Sequence, residues 1–199
     1  MTPPLTPALL VRAYAQGIFP MGMDDGTIGW FSPDPRGILP LETFHVSARL
    51  RRTWRARRIA SGPFEMRFDT AFEAVMRACG EDREDGSWIS EDIIASYCAL
   101  HARGLAHSVE VWQGARLVGG LYGVHLGAAF FGESMFHRET DASKVALVAL
   151  VEHLRARGFL LLDIQWVTSH LARFGAVEIS AEEYLDRLGK ALGCSAPWE

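Results

Sequence analysis

The sequence predicts an α/β protein of the α+β kind, a mixed sheet flanked by helices with a small lobe in front of it. Three observations carry this. Three alternating runs, Ala106–Trp112, Arg116–Val124 and Ala128–Ser134, follow one another with turn glycines at Gly114 and Gly127, which is the pattern of an antiparallel meander. An amphipathic stretch from Ala142 to Arg157, stopped by Gly158, leads into the nearly continuous apolar run Phe159–Gln165, as a helical crossover into a buried strand would. Glycine and proline crowd the chain from Phe19 to Pro40 and thin out from Leu41, which sets a boundary between a lobe over 1–40 and a larger domain over 41–199.

The elements follow in order. Thr6 caps a short helix with Pro7 in its first turn, Gly17 at its end and Leu9, Leu10, Ala13 and Tyr14 facing inward. The stretch from Phe19 to Pro40 reads as loop, yet Phe19, Met21, Trp30 and Phe31 make it too apolar for a solvated linker, so it folds over something. Ser47 opens a helix to Arg58, and Phe64–Asp69 alternates as a strand. Thr70–Cys79 and Ser90–Arg103 are helical, the second ended by Gly104. After the meander, Asp141 is the expected cap of the crossover helix, whose inward stripe is Leu147, Val148, Val151 and Leu154. A strand to Gln165, a short helix over 168–174, a strand over 177–180 and a helix over 181–192 complete the chain.

Composition excludes several classes. A length of 199 residues with 49% apolar content supports a real core, and a formal charge of −4 argues against a wholesale polyanion binder. Cys79, Cys98 and Cys194 are odd in number and lack ligand spacing, and the seven histidines show no HExxH or paired pattern, so neither a disulfide framework nor a metal site is expected. No apolar run approaches the roughly 18 residues of a membrane span, and no basic-then-apolar leader opens the chain. The expectation is a cytoplasmic monomer with no cofactor.

Chemistry is signalled at three places. Glu133, Asp163 and Gln165 fall at the ends of strands that are otherwise apolar, where a buried ionisable group costs several kcal/mol unless paired or useful. Asp163 and Gln165 are two apart, which places them on one face of a strand. A purely structural alternative gives Asp163 a strand-end hydrogen bond and Glu133 an ion pair with Arg138 or Lys144. Finally, Arg49, Arg51, Arg52, Arg55, Arg57 and Arg58 crowd one helix on which Leu50 and Trp54 would face the core. Such a cationic face on an acidic chain fits a phosphate backbone, the alternative being a solvated surface.

The element order resembles the GNAT acyltransferase fold, in which a splayed mixed sheet brings an acyl donor to an amine. Acyl-CoA users of that fold hold pyrophosphate on a glycine-rich turn at a helix N-terminus. Here the turn reads HRETDASK, without glycine, which disfavours an acyl-CoA-dependent acetyltransferase.

More specifically, the motifs YAQGIFP (14–20), WFSPDPRG (30–37), DREDGSWI (82–89), AHSVEVW, LVGGLYGV, FGESMF (131–136), ASKVAL (142–147) and LLDIQ (161–165) resemble the leucyl/phenylalanyl-tRNA–protein transferase family from about Tyr14 to Tyr184. The resemblance implies transfer of Leu or Phe from aminoacyl-tRNA to proteins with N-terminal Arg or Lys, marking them for degradation. It implies that Asp163 polarises Gln165, whose amide orients the incoming α-amine, and that Glu133 binds the tRNA terminus or the acceptor's cationic side chain. It further implies a pocket for the amino acid and the terminal adenosine from Tyr14, Met21, Trp88, Tyr97, Leu121, Phe130, Leu150 and Leu154, with the arginine helix on the tRNA backbone. Met21 stands where the family's pattern has Trp, Leu121 where it has Met, and Leu150 and Leu154 where it has Phe, which bears on the choice among Leu, Phe and Met. Leu150 and Leu154 also suit a plain core position. A binding module without catalysis is the reading from another class.

Overall fold

The computed structural model describes residues 5–23, 25–56, 63–81 and 89–199. Helix α1 (Pro7–Tyr14) starts at Thr6, whose hydroxyl accepts from the Leu9 N–H, and buries Leu10, Ala13 and Tyr14 while Leu9 stays half-buried. The stretch read as loop is structured. It forms an antiparallel hairpin from β1 (Phe19–Gly22) and β2 (Ile28–Phe31), then a three-residue strand β3 (Arg36–Ile38). Strands this short, set among prolines and glycines, present too few residues for alternation to be read.

Helix α2 (Ala48–Ala56) buries Leu50 and Trp54 as its spacing requires; Arg57 and Arg58, its expected end, lie outside the described residues. Strand β4 (Glu65–Phe68) leads to α3 (Phe72–Glu81) and α4 (Glu91–His101), the latter capped by Ser90. The meander is β5 (Ala106–Gln113), β6 (Arg116–Leu126) and β7 (Ala129–His137). Helix α5 (Ala142–Ala156) crosses to β8 (Leu161–Gln165), followed by α6 (Ser169–Ala172), β9 (Val177–Ile179) and α7 (Ala181–Leu192). Asp141 sits at the N-cap of α5 but makes no capping bond there, a departure from expectation. Its backbone is left-handed (φ 68°), and its carboxylate instead accepts from Lys144 at 2.7 Å and Arg49 at 2.9 Å.

These strands build a seven-stranded sheet in the order β4-β5-β6-β7-β8-β3-β9. The first four pair antiparallel, β8 joins β7 in parallel through the α5 crossover, and β3 slots antiparallel between β8 and β9. This is the GNAT-like arrangement that the element order predicts. Consecutive glycines on β6 let helices close on both faces: a Cβ at Gly119 would meet Ala142 of α5 at 2.6 Å, and one at Gly120 would meet Val75 of α3 at 3.3 Å. Neighbouring strand residues point to opposite faces, so α5 and α3 pack on opposite sides of β6.

Four histidines scattered in the sequence meet at one knot. Asp69 accepts from His107 Nδ1 at 2.8 Å, Trp198 Nε1 at 2.7 Å and the Ser108 N–H at 2.8 Å, with His101 at 3.8 Å. Trp198 stacks on His107, its centroid 4.1 Å away, and lies beside His125 and His153. Asp69, His101 and His107 offer ligand-type atoms within 4.8 Å of one another, but the Asp69 oxygens are already engaged in fixing the segment that carries Trp198. No described helix is long and apolar enough to cross a membrane.

Candidate active site

The site exists because two parallel strands part. Pairing of β7 with β8 runs from Ala129/Leu161 to Phe131/Asp163 and stops. Beyond it β7 stays on β6, whereas β8 turns off at Gln165, whose backbone is left-handed at φ 58°. That conformation costs a non-glycine residue roughly 1–3 kcal/mol, and the Gln165 N–H gains a compensating bond to Asp163 Oδ1 at 2.9 Å. The wedge so opened is a cavity of about 650 Å³. Gly132–Met135 and Ile164–Trp166 form its walls, Ser143, Leu147 and Leu150 of α5 its floor, and Phe19 and Met21 of the hairpin its rim.

Asp163 is fully buried beneath this wedge. Arg36, itself buried, grips it with Nε on Oδ1 at 2.9 Å and Nη2 on Oδ2 at 2.6 Å, and the Tyr184 hydroxyl donates to Oδ2 at 2.7 Å. Arg36 Nη1 donates to the Gly17 carbonyl at 2.8 Å, and its guanidinium lies over the Tyr184 ring at 4.4 Å. Asp163 therefore does not line the cavity, and it bonds the main chain of Gln165 rather than its amide. The expected polarisation of the side chain is replaced by a clamp on the turn that aims it.

Gln165 and Glu133 do line the cavity, and Gln165 Nε2 donates to Glu133 Oε1 at 3.3 Å. Beneath them the Tyr14 hydroxyl donates to the same oxygen at 2.7 Å and hydrogen-bonds Tyr97. Burial is the main cause that pushes the Glu133 carboxyl up to about 8, with Asp163 adding to it and the tyrosines and Arg36 opposing. Burial, followed by the charge of Glu133, likewise raises both phenols well above their ordinary value, so they stay donors. The ion-pair alternative for Glu133 is not realised, since Arg138 binds Glu81 and Lys144 binds Asp141.

The remaining expectations divide. Met21, Leu121 and Leu150 line the cavity. Tyr14 and Tyr97 lie behind it as supports of Glu133. Phe130 and Leu154 are corrected to core: Phe130 precedes the strand divergence and stacks on Trp198 at 5.5 Å, and Leu154 is one helical turn past the floor with no exposed surface. Trp88 lies outside the described residues. On α2, Arg49, Arg51, Arg52 and Arg55 are all exposed, Arg49 pairing with Asp141 and Arg51 donating to the Val46 carbonyl. Sequence reasoning missed Arg36, Tyr184, Trp166 and His170. For Arg36 a signal was present: a charge placed directly before the apolar run GILPL.

A mixed sheet splayed at one parallel pair, with an apolar cavity ending in a carboxylate and an amide, defines an acyltransferase-like protein. The sequence matches leucyl/phenylalanyl-tRNA protein transferase over residues 38–189 and the N-terminal domain of that family over 4–34. It is similar to leucyl/phenylalanyl-tRNA–protein transferases of Paramagnetospirillum magneticum (60% identity, 97% of this chain and 92% of the relative), Herpetosiphon aurantiacus (59%, 98% and 99%) and Rubrobacter xylanophilus (56%, 94% and 95%). The chain belongs to this family and is a tRNA-dependent aminoacyltransferase.

Proposed function

We propose that the protein moves Leu or Phe, and Met less selectively, from aminoacyl-tRNA to the α-amine of proteins that begin with Arg or Lys, and so marks them for degradation in the cytoplasm. The observation that carries this reading is the apolar wedge with Glu133 and Gln165 at its polar end. An aminoacyl ester is already activated, so the amine nitrogen attacks the ester carbon, the amide bond forms and the ribose oxygen leaves with a proton. Holding the two reactants together can supply roughly 7–11 kcal/mol of the barrier.

The residues take distinct parts. Met21, Leu121, Leu147 and Leu150 receive the donor side chain. Gln165 orients the α-amine. An amide has no useful basicity, so the ammonium proton passes to the ionised fraction of Glu133, a carboxyl raised toward the working pH and therefore a stronger base than an ordinary carboxylate. Asp163, Arg36 and Tyr184 position Gln165, and the α2 arginines follow the tRNA phosphates. The lobe over 1–40 and the domain over 41–199 cooperate in this reading, since Arg36 and Met21 come from the first and the cavity walls from the second. The protein works as a monomer.

The test is transfer of labelled Leu, Phe and Met from charged tRNA to peptides differing only in an N-terminal Arg or Ala. Label on the Arg peptide alone supports the reading. Binding of charged tRNA without any transfer overturns it in favour of a binding module.

A further inference from the structure

We propose that a second, cationic cavity beside the reaction wedge binds one phosphodiester of the donor's 3′ end, the one that joins the terminal nucleoside to its neighbour. It has a volume of about 200 Å³ and is lined by Ser47, Arg49 and Leu50 of the α2 region, Asp141 and Lys144 at the start of α5, and His170, Arg173 and Phe174.

Charge selects the occupant. Arg49, Lys144 and Arg173 bring three positive charges to one cavity, and Asp141 offsets one of them through its bonds to Arg49 and Lys144. Arg173 is exposed and makes no ion pair among the described residues. The surplus is felt at His170, whose pKa is lowered first by burial and then by Lys144 and Arg173. A divalent anion or a phosphodiester relieves this repulsion, and a neutral ligand does not. Side chains supply the charge here, which suits a turn without the glycines needed for a backbone cradle.

Position selects the source of the phosphate. His170 lines both cavities, and consecutive residues of α5 serve the two, Ser143 the larger and Lys144 the smaller. A nucleoside ester seated in the wedge thus carries its 5′ phosphate toward Lys144 and Arg173. Arg49 belongs at once to this cavity and to α2, whose exposed Arg51, Arg52 and Arg55 continue the track outward. This assignment rests on the aminoacyl-tRNA reading above and specifies where the strand enters.

The experiment compares binding of the uncharged dinucleotide CpA and of adenosine by titration calorimetry, in wild type, Arg173→Glu and the double variant Lys144→Ala/Arg173→Ala. A charge-assisted contact predicts that wild type prefers CpA by about tenfold. That preference should weaken as salt is raised, as a screened contact between charges does, and it should collapse toward one in both variants. Equal binding of CpA and adenosine by wild type, or a preference that survives in the variants, overturns the proposal. Arg173→Glu alters an exposed side chain and so reads the site without a folding loss. CpA binding through these residues in a chain that transfers no amino acid would fail the transferase reading and leave the phosphate site standing.

Discussion

Arg36 holds Asp163 by both carboxylate oxygens across adjacent strands, 127 residues apart in the chain, with neither side chain open to solvent. Two fully desolvated charges are stable together only when their hydrogen-bonding capacity is filled. Here it nearly is: Tyr184 and the Gln165 N–H complete Asp163, and the Gly17 carbonyl and the Tyr184 oxygen take two further guanidinium N–H groups, so that four of the five are bonded. The pair thus ties the N-terminal lobe to the strand end that carries Gln165.

Removing one partner leaves the other charged and buried. Arg36→Met should therefore lose about 3–5 kcal/mol of stability together with most of the transfer rate, as Gln165 loses the clamp on its left-handed turn. Tyr184→Phe deletes one donor to a charged group, worth about 1.5–3 kcal/mol, and should stay folded with a smaller loss of kcat. Urea unfolding of both variants, paired with the transfer assay, checks this; an Arg36→Met protein as stable as wild type would sink the argument.

Glu133 makes a prediction about pH. Its carboxyl is raised from 4.5 to about 8, so the folded state keeps a proton that the unfolded state has released. The contribution is fully present below about pH 4.5 and lost as pH rises through about 8, with a slope of up to about 1.4 kcal/mol per pH unit between. Stability of wild type relative to Glu133→Gln should accordingly fall with rising pH across that window and level off above it. A difference that stayed flat from pH 5 to 8 would show that Glu133 is ionised in the folded protein.

Much of this was legible in the sequence, and the exceptions share a cause. Helix α7 and the meander could be placed because each repeats its period several times, with Ser180 or turn glycines as punctuation. Strand β3 could not, being three residues long and buried throughout, and with it went the partner of Asp163. The pairing of Asp163 with Gln165 on one face assumed a regular strand to its last residue; the positive φ of Gln165 breaks that assumption. Glu133 was found from local pattern and Leu150 from the family resemblance, whereas the histidine knot around Trp198 depends on contacts from 45 residues apart, between His153 and Trp198, to 129, between Asp69 and Trp198, which spacing does not encode.

Gly37 is the contact on which β3 meets the turn. A Cβ there would lie 2.7 Å from the Trp166 carbonyl carbon and 2.9 Å from the Val167 nitrogen, main-chain atoms that cannot rotate away. Gly37→Ala should cost about 1–3 kcal/mol and, by shifting Gln165, reduce kcat by at least about tenfold. Gly189→Ala in α7 meets nothing within 4 Å and should instead stabilise by up to about 1 kcal/mol. Thermal unfolding and single-turnover transfer on the two variants give opposite signs if the packing argument holds.

Two leucines one turn apart on α5 separate donor choice from packing. Leu150 lines the wedge, whereas Leu154 is enclosed by core. Leu150→Phe narrows the space that distinguishes an isobutyl from a benzyl side chain. It should lower kcat/KM for Phe-tRNA relative to Leu-tRNA by about tenfold, the low end of what pocket fit can give, since the family's pattern carries Phe here and still admits both side chains. Leu154→Phe adds bulk where no cavity receives it, so it should lower stability by about 1–3 kcal/mol and leave the donor ratio where it was. Competition between the two charged tRNAs, with urea unfolding of each variant, measures both quantities. A donor ratio that moved equally in the two variants would mean that the amino acid is selected elsewhere than on the floor of this cavity.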